Sequence, residues 1–139
     1  MENKKTVLQN LKKTGFKLTP QRIAVIEFLE GNTSHPSAYV IFQEVKKKYP
    51  MISFSTVYNT LKTLSEMGEV HLLTIQENKV NFDPNIGSHH HFLCDECQQI
   101  MDVFHDGSSN PEYVNGHLIR KHQVYFYGIC SQCLMKGNR

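Results

Sequence analysis

Ser53-Phe-Ser-Thr-Val-Tyr-Asn-Thr-Leu-Lys-Thr-Leu-Ser-Glu-Met-Gly68, followed by Val70-His-Leu-Leu-Thr-Ile75 and Val80-Asn-Phe82, decides how the first half of this chain folds. Ser53 suits a helix N-cap, where its hydroxyl can accept a backbone N–H that has no partner inside the helix. Gly68 suits the stop. Val57, Leu61 and Leu64 recur at i, i+4 and i+7 and form a one-faced apolar stripe. The opposite face carries Ser55, Thr56, Tyr58, Asn59 and Lys62. Beyond the helix, a β-prone run, a turn at Glu77-Asn78-Lys79 and a returning run read as a hairpin.

Three more helices precede this stretch. The first is expected from about Asn3 to Thr14, with Gly15 as its stop. The second opens with Thr19 as N-cap and Pro20 at the first helical position, where a missing N–H costs nothing. It buries Ile23, Val25, Ile26, Phe28 and Leu29, and Gly31 ends it. Ser37 caps the third, with Val40, Ile41 and Val45 inward, Lys46, Lys47 and Lys48 in water, and Pro50 as its end. Short helices followed by a β-hairpin match a winged helix, whose last helix enters the major groove of DNA. A small helical bundle with an incidental hairpin matches the same pattern. The polar face at Tyr58 and Asn59 favours the DNA reading, because those groups can meet phosphate oxygens and base edges. Arg22, Lys17 and Lys62 are candidate phosphate contacts on the same reading, or ordinary solvated charges.

Composition agrees with a division of labour. The chain has 139 residues, 40% of them hydrophobic and 20% charged, as expected of a globular protein, with a net charge of +2. Residues 1–80 hold 11 Lys and Arg against 7 Asp and Glu; residues 81–139 hold 4 against 6. All four cysteines and six of the eight histidines lie in the second stretch. No apolar run approaches the roughly 20 residues that span a bilayer, and Met1-Glu-Asn-Lys-Lys lacks a signal-peptide core. The expected compartment is therefore the cytoplasm, where cysteines read as metal ligands sooner than as disulfides. A linker at Asp83–Ser88, with Pro84 and Gly87, divides the chain into residues 1–83 and 84–139. The second part reads as mostly strand: His91–Cys94, Ile100–Phe104 and Val124–Ile129, with a short helix near Pro111–Asn115.

Cys94-Asp-Glu-Cys97 and Cys130-Ser-Gln-Cys133 are two C-x2-C pairs. Two such pairs complete a tetrahedron of soft thiolates that selects Zn²⁺, and four protein ligands make the site closed and structural. The 32 residues between the pairs exceed the roughly 15–20 of a zinc ribbon. Two unrelated thiol pairs, or a redox C-x-x-C, are the alternatives. Just before the first pair stands Ser88-His89-His90-His91. In an extended chain His89 and His91 point the same way. Two imidazoles on one face suit Fe²⁺, Mn²⁺, Zn²⁺ or Ni²⁺, and Asp83 and Asp102 could add oxygens. A solvated histidine-rich loop is the bland alternative.

Leu18-Thr19-Pro20-Gln21-Arg22, His35-Pro36, Ser55-Thr56-Val57-Tyr58, Phe82-Asp83, His89-His90-His91 with Cys94-x-x-Cys97, and Tyr127-Gly128 before Cys130-x-x-Cys133 together resemble the ferric uptake regulator (Fur) family. The resemblance spans nearly the whole chain, with the motifs in the family's order. It implies an α+β protein: an N-terminal winged-helix DNA-binding domain and a C-terminal α/β dimerisation domain. It also implies a dimeric repressor on operator DNA, with structural Zn²⁺ on Cys94, Cys97, Cys130 and Cys133 and a regulatory metal at the hinge. By resemblance to the peroxide-sensing PerR branch, the regulatory ligands for Fe²⁺ or Mn²⁺ are His35, Asp83, His89, His91 and Asp102. That branch typically has Asp, and iron or zinc sensors Glu, at the position of Asp102.

The resemblance further implies that peroxide oxidises His35 and His89 in the iron-loaded protein and so releases the DNA. The runner-up is a Fur-type repressor that reads metal concentration alone. His90 and His122 fall where a third family site would have two ligands, but a matching carboxylate is not evident. An enzyme is not expected: a zinc hydrolase needs a general base, and no Glu of the H-E-x-x-H kind is present. A plain structural zinc module binding a protein partner is the third reading.

Overall fold

A computed structural model describes residues 1, 3–104 and 112–137. The chain separates into two compact units, Met1–Gly87 and Ser88–Arg139.

The first unit contains α1 (Lys4–Lys13), α2 (Pro20–Leu29), α3 (Ala38–Lys48) and α4 (Phe54–Glu66). Each starts on a side-chain cap: Asn3, Thr19, Ser37 and Ser53 accept the backbone N–H of Thr6, Arg22, Val40 and Thr56. Caps of this kind stabilise a helix by about 1 kcal/mol each. Gly68, at φ 76°, turns the chain out of α4, and the Glu69 N–H closes back on the Leu64 carbonyl. Val7, Leu11, Val25, Ile26, Leu29, Ile41, Val57, Leu61 and Leu64 are fully buried in one cluster.

The hairpin consists of β1 (His71–Leu73) and β2 (Asn81–Asp83), antiparallel with Leu72 opposite Phe82. Phe82 is fully buried in the helical core. The hairpin is therefore a structural part of the domain, which removes the incidental-hairpin reading. Val40 corrects the expectation for α3: it is 42% exposed, while Ile41 and Val45 carry the buried stripe.

The second unit holds β3 (His90–Cys94), β4 (Ile100–Val103), β5 (Tyr113–Val114), β6 (His117–Leu118), β7 (Tyr125–Gly128) and α5 (Ser131–Met135). Its main sheet runs β4-β3-β7, antiparallel on one side of β3 and parallel on the other. The helix expected near Pro111–Asn115 is replaced by the β5–β6 hairpin. Asn115 and Gly116 stand at φ 50° and 82°, the pair of positive angles that a two-residue hairpin turn needs. Pro111, the turn-rich stretch 106–110 and His105 lie outside the described residues. The buried cluster that binds the sheet to α5 is Cys94, Cys130 and Cys133, with Phe92, Met101 and Ile129 packed on it. Sulfur occupies the place that leucine or isoleucine fills in the first unit.

Candidate metal centres and nucleic-acid face

The four cysteines come from two short turns. Cys94 ends β3, and Cys97 follows in a turn that Gln98 closes at φ 62° by donating its N–H to the Cys94 carbonyl. Cys130 caps α5 and Cys133 lies one turn inside it. The four sulfurs lie within 4.8 Å of one another; Cys94–Cys133 is 3.8 Å and Cys97–Cys130 3.9 Å. Zn–S bonds of about 2.3 Å put tetrahedral sulfurs about 3.8 Å apart, so the spacing fits a zinc ion. A disulfide needs about 2.05 Å, and all four are free thiols.

Electrostatics divide the tetrad. The Cys130 backbone N–H, with that of Cys97, brings the Cys94 thiol down to about 6. The Cys130 sulfur and then burial push Cys133 up to about 12. Four thiolates therefore need a cation among them, and metal uptake must expel protons.

The histidines and aspartates form one cluster in each unit. In the first, His35 holds the left-handed conformation at φ 54°, which strains a non-glycine residue. The hairpin fixes it there: Asn81 Nδ2 donates to the His35 carbonyl at 2.9 Å, and the Phe82 N–H to the Pro36 carbonyl at 2.9 Å. His35 Nε2 then lies 3.5 Å from Asp83 Oδ2, both side chains being buried. Asp83 Oδ1 accepts the Asn85 N–H at 2.9 Å.

In the second unit, His91 pairs across the ladder with Asp102. His89 Nε2 is 3.1 Å from His91 Nε2, and Asp102 Oδ1 is 3.3 Å and 3.6 Å from the two nitrogens. Two imidazole nitrogens and one carboxylate oxygen converge as neighbouring ligands of one cation would. This two-His, one-carboxylate donor set is typical of non-haem Fe²⁺ with open positions. His90 has its ring 6.2 Å from that of His122 and 6.3 Å from that of Phe126.

Among the DNA candidates, Ser55, Asn59 and Lys62 are exposed on α4, and Thr56 and Tyr58 are half-buried. Ser53, Ser55 and Thr56 gather their hydroxyls at the helix N-terminus, 2.8–3.1 Å from the Ser53 oxygen. Arg22 is held in place: Nη1 donates to the Lys17 carbonyl at 2.6 Å, and the guanidinium lies 4.4 Å above the Phe16 ring. The sequence reading missed Tyr39, Phe54 and Lys79, which line a groove with Tyr58 beside the hairpin turn. Phe54 read only as a helix starter. Its exposure at the head of α4 depends on where α3 packs.

A winged helix in one unit, a cysteine tetrad in the other and a histidine–aspartate cluster in each define a metal-regulated transcription factor. The model of the ferric uptake regulator family matches residues 13–127, and the chain belongs to that family. It is 36% identical over 138 residues to the peroxide operon regulator of Bacillus subtilis (strain 168), covering 96% of this chain and 95% of that one. It is 33% identical to the peroxide-responsive repressor PerR of Staphylococcus epidermidis (strain ATCC 12228 / FDA PCI 1200), covering 94% and 90%. The solved peroxide stress regulator of Campylobacter jejuni superposes with a TM-score of 0.66 at 34% identity, over 91% of this chain and 98% of that chain.

Proposed function

We propose that this protein is a metal-dependent repressor that binds operator DNA as a homodimer and lets go when peroxide oxidises its own histidine ligands. The observation that carries this reading is the convergence of His89, His91 and Asp102 at 3.1–3.6 Å in a family member. The similarity to peroxide regulators supports it. His35 and Asp83 complete the regulatory site from the winged-helix unit, so that a bound cation ties the two units and favours the DNA-binding arrangement. The cysteine tetrad holds structural zinc. Among the described residues no helix is long and apolar enough to cross a membrane, and we place the protein in the cytoplasm with its operator.

Fe²⁺, when bound, supplies the electrons that cleave peroxide, whereas Mn²⁺ supplies only the geometry. The chain does the rest. His89 and His91 present imidazoles, Asp102 keeps one short carboxylate between them, and the His35 backbone is held strained by Asn81. An imidazole that gains oxygen loses a lone pair or its orientation, and the tie between the units fails. The protein acts by changing conformation, not by turnover of a substrate. Dimer formation has a suitable surface in the second unit: β7 is an edge strand, with Tyr127 56% and Met135 86% exposed nearby in sequence.

The test is to load the protein with Fe²⁺ or Mn²⁺ on an operator duplex selected from a random library, and add low peroxide. Release from the iron-loaded protein alone supports the reading; release from neither, with affinity following metal concentration, supports a metal-responsive repressor instead. The DNA face has its own expected result. Binding should weaken steeply with salt, as phosphate contacts release counterions. Tyr58→Phe should weaken the selected duplex by roughly 1–2 kcal/mol through loss of a polar contact, and Arg22→Ala should weaken selected and random duplexes alike. Titrations at several salt concentrations measure both, and unchanged affinity in both variants moves the interface elsewhere.

A further inference from the structure

His71 has no part in the site described so far, yet the β1–β2 register sets it directly opposite Asp83. The neighbouring pair, Leu72 and Phe82, turns into the helical core. Side chains alternate along a strand, so His71 and Asp83 share the other face with Leu73 and Asn81. That face also holds His35: Asn81 grips its carbonyl, and Asp83 Oδ2 is 3.5 Å from its ring. Directly opposed residues have Cβ atoms about 4.5–5.5 Å apart, within reach of an imidazole–carboxylate hydrogen bond. Asp83 is 2% exposed and His71 half-buried. The Asn85 N–H already holds Oδ1.

We propose that His71 is a positioning residue of the regulatory metal centre. Its ring N–H donates to the Asp83 carboxylate and fixes the oxygen that faces His35. The inference rests on Asp83 being a regulatory ligand. The physical reason is pre-organisation. A carboxylate held by Asn85 on one side and His71 on the other keeps its orientation before the cation arrives, so little freedom is lost on binding. Removal of such outer partners commonly weakens metal binding by about 10–100-fold. Asp83 comes from the winged-helix unit, so His71 sets how strongly that unit is recruited by metal.

The experiment measures Mn²⁺ affinity of the full-length, zinc-loaded protein by the EPR signal of free Mn²⁺. His71→Ala should weaken binding about 10–100-fold. His71→Leu, which fills the space without a donor, should bind as poorly as alanine. His71→Gln, which restores an N–H at similar reach, should recover most of the affinity. Zinc content should be the same in all three. Wild-type affinity in the alanine and leucine variants overturns the proposal. So does failure of glutamine to rescue, which would make His71 a direct nitrogen ligand. Asp83→Ala is the control for the underlying reading: if it binds Mn²⁺ like the wild type, the assignment of Asp83 fails, and the role of His71 falls with it for a distinguishable reason.

Discussion

Cys94→Ser or Cys130→Ser is expected to remove one zinc per subunit and, with it, the folded β unit and the dimer. The reason lies in what the second unit has for a core. Among the described residues, one buried cluster of this unit is built on Cys94, Cys130 and Cys133, with Phe92, Met101 and Ile129 packed against it. A unit this small has too little apolar surface to fold on burial alone and needs a staple. Structural zinc binds with an apparent free energy of about 10–16 kcal/mol in small zinc domains, at least as large as the stability of a typical domain.

The thiol chemistry adds a pH dependence. Cys133 is pushed up to about 12, first by the Cys130 sulfur and then by burial, so it carries a proton at neutral pH until metal displaces it. Protons thus compete with zinc, and affinity falls as pH falls. Zinc loss to a chelator should accelerate on acidification. Elemental analysis and sedimentation measure the metal and the dimer. A stable, metal-free dimer in either serine variant would remove the tetrad as a zinc site.

Fe²⁺-loaded protein is expected to lose DNA within a brief exposure to low peroxide, and Mn²⁺-loaded protein to keep it. In the net reaction an imidazole C–H gives up two electrons to peroxide and becomes C–OH or its oxo tautomer, taking one peroxide oxygen, while the other oxygen leaves as water. A bound Fe²⁺ would supply the redox chemistry that activates peroxide, so damage should fall on the histidines that would hold it. The cysteine thiolates would be shielded by a bound zinc, and Cys94 stands at the far end of β3 from His89, which precedes that strand. Intact mass should rise by about 16 Da per oxygen added, and peptide mapping should place it on His35 and His89, not on the cysteine ladder. Asp102→Glu probes the same chemistry. Asp102 Oδ1 approaches His89 and His91 to 3.3 Å and 3.6 Å. A longer arm keeps the charge but changes the coordination, so metal-dependent DNA binding should persist while the peroxide response is blunted. Iron-loaded protein that holds its DNA with both histidines unmodified would leave the metal-concentration sensor as the function.

The helices were legible because their signals are local. Thr19, Ser37 and Ser53 cap in the structure as read, Asn3 caps the first helix where the reading only began it, and the stripe Val57, Leu61, Leu64 is fully buried. The two C-x2-C pairs were equally plain, since ligand type and spacing carry the chemistry. Two local readings failed for reasons of context. Val40 is apolar and next to a buried residue, but helical period turns it toward water. The stretch before Gly116 admitted a helix by composition, yet Asn115-Gly116 makes a tight hairpin turn.

What the sequence determined by itself was therefore the parts list: four capped helices, a hairpin, two thiol pairs and a histidine run. Residues three or four apart on a helix, or two apart on a strand, meet through the backbone's own period, and no distant contact is needed. Only tertiary structure decided that Asn81 grips the strained His35 backbone, 46 residues away, and that His71 stands across from Asp83. It also decided that Cys94 and Cys133 close to 3.8 Å across 39 residues. Such meetings depend on strand register and on how the core orients each element. A shift of one residue in β1 would turn His71 to the opposite face while leaving the composition of the chain untouched.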